Sequence, residues 1–141
     1  MNNRTFAIIK PDAVLQLKTG KIYDRIIKAG FNIIAAKLSR LSIKQAEGFY
    51  DVHKERPFFE ELTKFMSSGP CMVLVLEKDN AVLAWRDTIG ATNPQEAKQG
   101  TIRKDFATNI QNNAVHGSDS NENANKEIGF FFSESELIVS K

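Results

Sequence analysis

Four short apolar runs do most to limit what this chain can fold into. They lie at residues 5–9, 31–38, 72–76 and 128–132. Runs of this length suit strands that are buried on both faces, because such strands need not alternate with polar residues. The segments between them carry apolar residues at intervals of three or four, which is the spacing of one helix face. We therefore predict a fold in which strands alternate with helices.

Local signals set the boundaries of the first elements. Pro11 ends the first strand, since proline cannot continue a ladder. Residues 20–29 have the apolar spacing of a helix, and Gly30 follows where a C-cap glycine is expected. Ser42 and Gln45 form a capping-box pattern, so a further helix is predicted to start there.

The second half of the chain adds helices and a long polar loop. Pro57 can open a helix, residues 80–89 are predicted to be helical, and residues 101–106 can form a brief helix. The polar stretch after Gly90 is about as long as a loop can be before it suggests function or disorder. A helix that starts near Ser120 is predicted to lead into the last apolar run, which we interpret as the last strand.

The resulting order reduces to β-α-β-β-α-β, the ferredoxin-like pattern of the α+β class. We expect a four-stranded antiparallel sheet with extra helices and a long loop before His116. The length of 141 residues fits one domain over residues 1–141, and no interdomain linker interrupts it. Many functions use this fold, so it does not name an activity.

Composition excludes several classes of protein. The net charge of +2 is too small for a protein that coats polynucleotides, and it suits an anionic small molecule at least as well. Cys71 is the one cysteine, and there are two histidines, so neither an internal disulfide nor a closed Cys/His zinc site can be built. The N-terminus lacks the apolar core of a signal peptide, and no run is as long as a membrane span. We expect a cytoplasmic protein with no membrane partner.

The chemistry of the chain is concentrated in residues 113–120, Asn-Ala-Val-His-Gly-Ser-Asp-Ser. A neutral imidazole such as that of His116 can act as a nucleophile near neutral pH. Gly117 removes side-chain bulk beside the ring, and the three polar residues that follow can cap a helix whose N-terminus favours an anion. His116 can equally be a loop histidine beside a helix cap. A serine hydrolase is disfavoured, because no G-x-S-x-G motif is present.

Cationic and hydroxyl side chains elsewhere suggest a phosphate site. Guanidinium groups bind polyphosphate in a bidentate manner, and ammonium groups bind it as point charges. The candidates are Lys10 at the end of the first strand and Arg86, Thr92, Thr101 and Arg103 around the long loop. Each of them alone is also explained as solvated surface polarity. No Gly-rich phosphate loop is present, since residues 19–22 lack its first glycine and its final hydroxyl.

Two aromatic residues, Phe58 and Tyr50, each have two alternative roles. Phe58 can stack on a base of any kind, or pack in the core. Tyr50 can donate a hydrogen bond to phosphate, or pack one edge of its ring in the core.

Taken together, the chain closely resembles the nucleoside diphosphate kinase family over almost its whole length. The His-Gly-Ser-Asp-Ser string in this setting is highly specific. The resemblance rests on the motifs at residues 9–12, 56–59, 90–94, 100–103, 113–120 and 126–129.

The resemblance implies a ping-pong transfer of the terminal phosphoryl group from a nucleoside triphosphate to a nucleoside diphosphate. His116 would be the nucleophile through Nδ1, with its other ring nitrogen held by a backbone carbonyl. Glu127 would orient and polarise the ring, with Ser118. Phosphates would be held by Lys10, Tyr50, Arg86, Thr92 and Arg103.

The resemblance also implies the nucleoside contacts and the cofactor. Lys10 and Asn113 would reach the ribose, and Phe58 and Ile110 would enclose the base. Mg²⁺ would come with the nucleotide phosphates and bind no side chain directly, with Asp119 nearby through water.

Departures from the family pattern are modest. Ala13 stands where glycine is common, Gln99 replaces a proline of the long loop, and Trp85 precedes Arg86. The short end after Leu137 looks bacterial. Members of the family are oligomers, so a homo-oligomer is expected, a tetramer or a hexamer, with the tetramer favoured.

Two other functions fit parts of the sequence. A ferredoxin-like sheet with aromatic residues suits a nucleic-acid-binding module, but the RNP1-like string of such modules is missing and no specific nucleic acid is expected. A catalytically inactive relative acting as a scaffold is disfavoured by intact Lys10, Arg103, His116 and Glu127.

Overall fold

The computed structural model describes residues 3–138, with four strands and seven α-helices in that range. The strands are β1 Arg4–Ile9, β2 Asn32–Arg40, β3 Pro70–Glu77 and β4 Val115–Gly117. The helices are α1 Pro11–Leu15, α2 Thr19–Lys28, α3 Ile43–Phe49, α4 Phe59–Met66, α5 Ala81–Ile89, α6 Ile102–Phe106 and α7 Asn121–Phe131. Short 3-10 turns cover Asp51–His53 and Glu134–Glu136. The prediction about the short C-terminal end falls largely on residues 139–141, outside the described range.

The strands form one sheet in the order β2-β3-β1-β4, and all three pairings are antiparallel. This is the ferredoxin-like α+β arrangement, so the predicted fold class is confirmed. Strand β1 lies inside the sheet, while β2 and β4 form its two edges. No helix among residues 3–138 is long and apolar enough to cross a membrane.

Both faces of the sheet are covered, which explains the uninterrupted apolar runs. Side chains of a strand point alternately to its two faces. On β1, Phe6 and Ile8 belong to one apolar cluster, and Ala7 and Ile9 belong to the other. Each of these four side chains is fully buried. An internal strand with two covered faces therefore reads as a continuous apolar segment rather than an alternating one.

Several predicted helix signals are confirmed. Ser42 Oγ accepts the N–H of Gln45 at 3.0 Å, and Gln45 Oε1 accepts the N–H of Ser42 at 2.8 Å, so both halves of the capping box form. Gly30 follows α2 with φ +93°, a conformation that glycine adopts without steric cost. The helix predicted to open at Pro57 begins two residues later, at Phe59.

The predicted last strand is wrong. Residues 128–131 lie in α7, and the fourth strand is β4, upstream of that helix. Ser120 caps the helix by accepting the N–H of Asn123 at 3.1 Å. Ala124 and Ile128, four residues apart, are the residues of α7 that are buried. The helix cap and this i, i+4 spacing outweigh the strand propensity of the phenylalanines that follow.

Candidate active site

The edge strand β4 carries His116. In the sheet register, His116 pairs with Ile8 of β1. Its side chain is mostly buried, and its Nε2 lies 2.9 Å from Oε1 of Glu127 on α7. Ser118 Oγ donates to the same carboxylate oxygen at 2.7 Å. Strand β4 and helix α7 thus hold the ring between them.

This contact decides which ring nitrogen is free. A carboxylate accepts hydrogen bonds, so in the neutral ring Nε2 carries the proton and Nδ1 carries the lone pair. Among residues 3–138, Nδ1 has no hydrogen-bond partner. The expectation that a backbone carbonyl would hold the second ring nitrogen is wrong, because the Glu127 side chain takes that place.

Aromatic rings surround the imidazole. The His116 ring centroid lies 5.5 Å from that of Phe49, 6.1 Å from that of Phe6 and 6.3 Å from that of Tyr50, each in an edge-on arrangement. Tyr50 is buried, and its hydroxyl has no hydrogen-bond partner among the described residues. Burial raises the pKa of Tyr50, with a further contribution from Glu127, so the phenol remains a neutral O–H donor. Both roles predicted for Tyr50 therefore remain compatible with its position.

Two cations that the sequence singled out are buried. Lys10 is 8% exposed, and its Nζ donates to Asn113 Oδ1 at 2.8 Å. Desolvation, with the nearby Arg103 charge, lowers the pKa of Lys10 to about 8, although Asp12 opposes the change. A buried ammonium group of this kind gains from a bound anion, since the anion replaces the solvent that the lysine has lost.

Arg103 stabilises the backbone around the site. Its guanidinium donates to three backbone carbonyls, those of Val115 at 2.8 Å, Gly90 at 3.0 Å and Asn113 at 3.3 Å. Burial, with the charge of Arg86, lowers its pKa to about 10, so it stays cationic at neutral pH. Arg103 therefore joins the start of the long loop to β4 while keeping its charge in the site.

Two cavities meet beside His116. The smaller, of about 300 Å³, is lined by His116, Tyr50 and Glu127. The larger, of about 1090 Å³, is lined by Arg86, Thr92 and Arg103. Gly117 and Asp119 line both cavities. The imidazole of His116 and the guanidinium groups of Arg86 and Arg103 therefore face adjoining cavities.

The remaining predicted contacts lie around these cavities. Arg86 is exposed and donates to the Asp119 carbonyl at 3.3 Å. Thr92 is exposed, and its carbonyl accepts a hydrogen bond from Asn113 Nδ2 at 3.2 Å. Phe58 is 47% exposed and Ile110 is 59% exposed, and neither lines the two cavities. Their enclosure of a base stays a prediction.

The sequence predicts no directly ligated metal and a water-mediated role for Asp119, which lines both cavities. Its carboxylate is exposed, and Oδ1 accepts a hydrogen bond from Asn123 Nδ2 at 2.6 Å. Among residues 3–138, no three His, Cys, Asp or Glu side chains are grouped as metal ligands.

Sequence reasoning missed two residues, Trp85 and Asp12, that hold the backbone around His116. The fully buried Trp85 donates its indole N–H to the carbonyl of His116 at 3.1 Å. A Cβ at Gly117 would lie 2.8 Å from Trp85 Cδ1, so glycine is needed there for contact with Trp85. Asp12 accepts the N–H of Ala114 at 3.1 Å. An apolar helix position and a lone acid after a proline give no sign of such long-range contacts.

Known proteins of one family match this chain over nearly its whole length. The sequence profile described as nucleoside diphosphate kinase matches residues 3–137. The nucleoside diphosphate kinase of Geotalea uraniireducens (strain Rf4) is 59% identical over 135 residues, which are 96% of this chain and 98% of that protein. That of Salinibacter ruber (strain DSM 13855 / M31) is 55% identical over 136 residues, 96% of each chain.

Solved structures with lower sequence identity have closely similar folds. The Aquifex aeolicus nucleoside diphosphate kinase superposes with a TM-score of 0.94 at 47% identity, covering 96% of this chain and 99% of that one. The halophilic nucleoside diphosphate kinase from Halobacterium salinarum, solved in complex with CDP, gives a TM-score of 0.94 at 34% identity, covering 100% of this chain and 94% of that one.

Proposed function

This chain belongs to the nucleoside diphosphate kinase family, and we propose how its own residues carry out the reaction of that family. The enzyme moves the terminal phosphoryl group of a nucleoside triphosphate to a nucleoside diphosphate by a ping-pong route. The observation that supports the assignment of His116 as carrier is the 2.9 Å contact of its Nε2 with Glu127, which leaves Nδ1 with a lone pair.

In the first half-reaction, the Nδ1 lone pair of His116 attacks the terminal phosphorus of the triphosphate. The N–P bond forms as the bond from phosphorus to the bridging oxygen breaks, and that electron pair leaves with the diphosphate. Because Nε2–H stays bonded to Glu127, the positive charge gained by the ring lies beside a carboxylate. In the second half-reaction, a terminal oxygen of the incoming diphosphate attacks the same phosphorus, and the N–P pair returns to Nδ1.

Phosphoryl transfer has a loose transition state, so positioning and charge stabilisation supply most of the catalysis. Lys10, Arg86 and Arg103 would neutralise the phosphate oxygens. The Thr92 hydroxyl would donate to them, and so would the Tyr50 hydroxyl, which has no partner within residues 3–138. The absence of a Gly-rich phosphate loop in the sequence fits this use of side chains from several elements.

A divalent cation would enter the site bound to the phosphates of the nucleotide. Mg²⁺ bound with the nucleotide would neutralise part of the phosphate charge, and the exposed Asp119 carboxylate would support it through water. The position of Asp119 on both cavities supports that role. The protein's part is then to hold the phosphates with its own cations.

The nucleoside would be held by shape rather than by base identity. Phe58 and Ile110 would lie on the two faces of the base, and stacking of this kind tolerates any base. Lys10 and Asn113, already bonded to each other, would meet the ribose. The CDP complex of the Halobacterium salinarum relative supports a nucleoside diphosphate as one ligand.

We also propose a homo-oligomer, with a tetramer favoured over a hexamer. Leu15, Leu17 and Leu38 are large apolar side chains with most of their surface exposed in the isolated chain, and β2 is an open edge strand. Such surfaces are commonly covered by a second copy. Light scattering measures the oligomeric state directly, and a monomer at micromolar concentration would contradict the proposed homo-oligomer.

A cytoplasmic location stays a prediction, which cell fractionation would test.

The carrier role of His116 is tested by labelling. Incubation with γ-labelled ATP and Mg²⁺ should give a protein-bound label that is lost in acid and stable in alkali. His116→Ala should remove the label. His53→Ala is the matched control, because His53 is the other histidine of the chain, and it should retain the label. Label that persists in His116→Ala would refute the assignment.

A further inference from the structure

A strained turn stands directly before the strand that carries the nucleophile. The N–H of Val115 donates to the carbonyl of Asn113 at 2.8 Å, which closes a three-residue γ-turn. Its central residue, Ala114, has φ +74°. This left-handed conformation is costly for any residue with a Cβ, and the corresponding γ-turn is rare for that reason. The turn therefore needs contacts from outside to persist.

The segment from Lys10 to Asp12 supplies those contacts. The backbone N–H of Lys10 donates to the carbonyl of Ala114 at 2.8 Å. The N–H of Ala114 donates to Asp12 Oδ2 at 3.1 Å. Both backbone polar groups of the strained residue are thus bound by residues on either side of Pro11. Asp12 and Ala114 are both buried, so water does not compete for these hydrogen bonds.

The same turn connects the nucleophile to the phosphate-binding lysine. Asn113 accepts from Lys10 Nζ, and His116 follows Ala114 by two residues on β4. A change in the turn would displace His116 relative to Lys10. Misplacement of reacting groups by about 1 Å can cost on the order of 100-fold in rate.

We propose that Asp12 is a positioning residue for His116, because its carboxylate holds the strained Ala114 turn and so fixes β4 against the segment that carries Lys10. The inference rests on the proposed role of His116 as phosphoryl carrier. The hydrogen bond of Asp12 goes to the backbone N–H of Ala114 and none goes to His116 among the described residues, so Asp12 acts through the turn.

Asp12 has a second, separable effect through its charge. Burial raises the pKa of Asp12, while the Lys10 charge and the N–H of Ala114 oppose that rise. Asp12 in turn favours the protonated form of Lys10. Asp12→Asn keeps an oxygen that can accept the N–H of Ala114 but removes the charge. Asp12→Ala removes both.

The test compares single-turnover rate constants for phosphorylation of His116 at saturating nucleoside triphosphate. Such a rate constant does not depend on the folded fraction, which the amplitude of labelling reports separately. Asp12→Ala should lower it by roughly 10- to 100-fold. Asp12→Asn should stay within about threefold of the wild type at neutral pH, because it retains the acceptor. Asp24→Ala, which removes an exposed aspartate on α2, is the matched control and should not change it.

Ala114→Gly provides the rescue. Glycine adopts φ +74° without strain, so the turn should no longer depend on the carboxylate. In the double variant Asp12→Ala/Ala114→Gly, the rate constant should recover most of the loss. If Asp12→Ala cannot be purified, Asp12→Ser, whose hydroxyl is too short to reach the N–H of Ala114, replaces it in the same cycle.

Two results would overturn the inference. A wild-type rate constant in Asp12→Ala or Asp12→Ser would show that the carboxylate does not position His116. A slow single variant that Ala114→Gly fails to restore would show that the effect does not pass through the turn. Failure of the proposed function is a different outcome, since His116→Ala would then retain label.

Discussion

The buried ammonium group of Lys10 predicts an unusual pH dependence of stability. In the nucleotide-free protein its pKa is lowered from 10.5 to about 8, mainly by burial. The unfolded chain holds this proton up to a pH near 10.5, and the folded chain releases it near pH 8. Between these values the unfolded state binds more protons, so the free energy of unfolding should rise as the pH rises.

The size of the effect follows from the shift. At 1.36 kcal/mol per pKa unit, a shift from 10.5 to about 8 corresponds to about 3 kcal/mol. This cost of charging buried Lys10 is fully present below pH 8 and is relieved between pH 8 and 10.5. Lys10→Met removes the charge and keeps an unbranched side chain. The difference in unfolding free energy, wild type minus Lys10→Met, should therefore increase by about 3 kcal/mol from pH 7 to pH 10.5.

The assay is urea unfolding of the nucleotide-free protein at several pH values and one protomer concentration, because association of copies also contributes to stability. Lys21→Met, which removes an exposed lysine of α2, controls for general effects of losing a lysine. A difference between wild type and Lys10→Met that does not change with pH, or that falls as the pH rises, would refute the reasoning. With nucleoside diphosphate bound, the increase should shrink, since phosphate restores the charged form of Lys10.

Two further predictions concern the base and the strand. Phe58→Ala should weaken binding of all nucleoside diphosphates by about 1–3 kcal/mol in calorimetry, and a loss confined to one base would contradict stacking without base readout. Gly117→Ala places a Cβ 2.8 Å from Trp85 Cδ1, so thermal unfolding should show a loss of about 1–3 kcal/mol together with a change in Trp85 fluorescence. Unchanged stability and fluorescence would mean that Trp85 does not require glycine at 117.

The sequence predicted the fold where local signals are strong. The long apolar runs of β1 and β3 reflect burial on both faces, whereas β2 is buried mainly at Ile34 and Ala35. The capping box at Ser42 marks the start of α3. Strand β4 has three residues, too few to show any periodicity. The phenylalanines at the end of α7 have high strand propensity, and only the Ser120 cap and the spacing of the buried residues assign them to a helix.

The site was predicted by residue type but not by contact. The motif around His116 predicts a nucleophile, which stays a proposal, and the resemblance implied Glu127 as its neighbour, a contact that the structure confirms. Sequence alone does not say which ring nitrogen faces Glu127, and the expected backbone carbonyl was wrong. Asp12 and Ala114 are 102 positions apart, so their hydrogen bond depends on the pairing of β1 with β4 and has no local signal.

His116 lies on an edge strand, and the outward backbone groups of an edge strand can pair with another strand. Here side chains bind carbonyl groups of β4, with Arg103 on Val115 and Trp85 on His116. These two hydrogen bonds anchor β4 to α5 and α6, so the strand that carries His116 is held beside the two cavities. In the proposed mechanism the guanidinium of Arg103 serves both the fold and the binding of phosphate. Replacing Arg103 should therefore impair both, whereas Lys10→Met should impair the reaction while making the nucleotide-free protein less sensitive to pH.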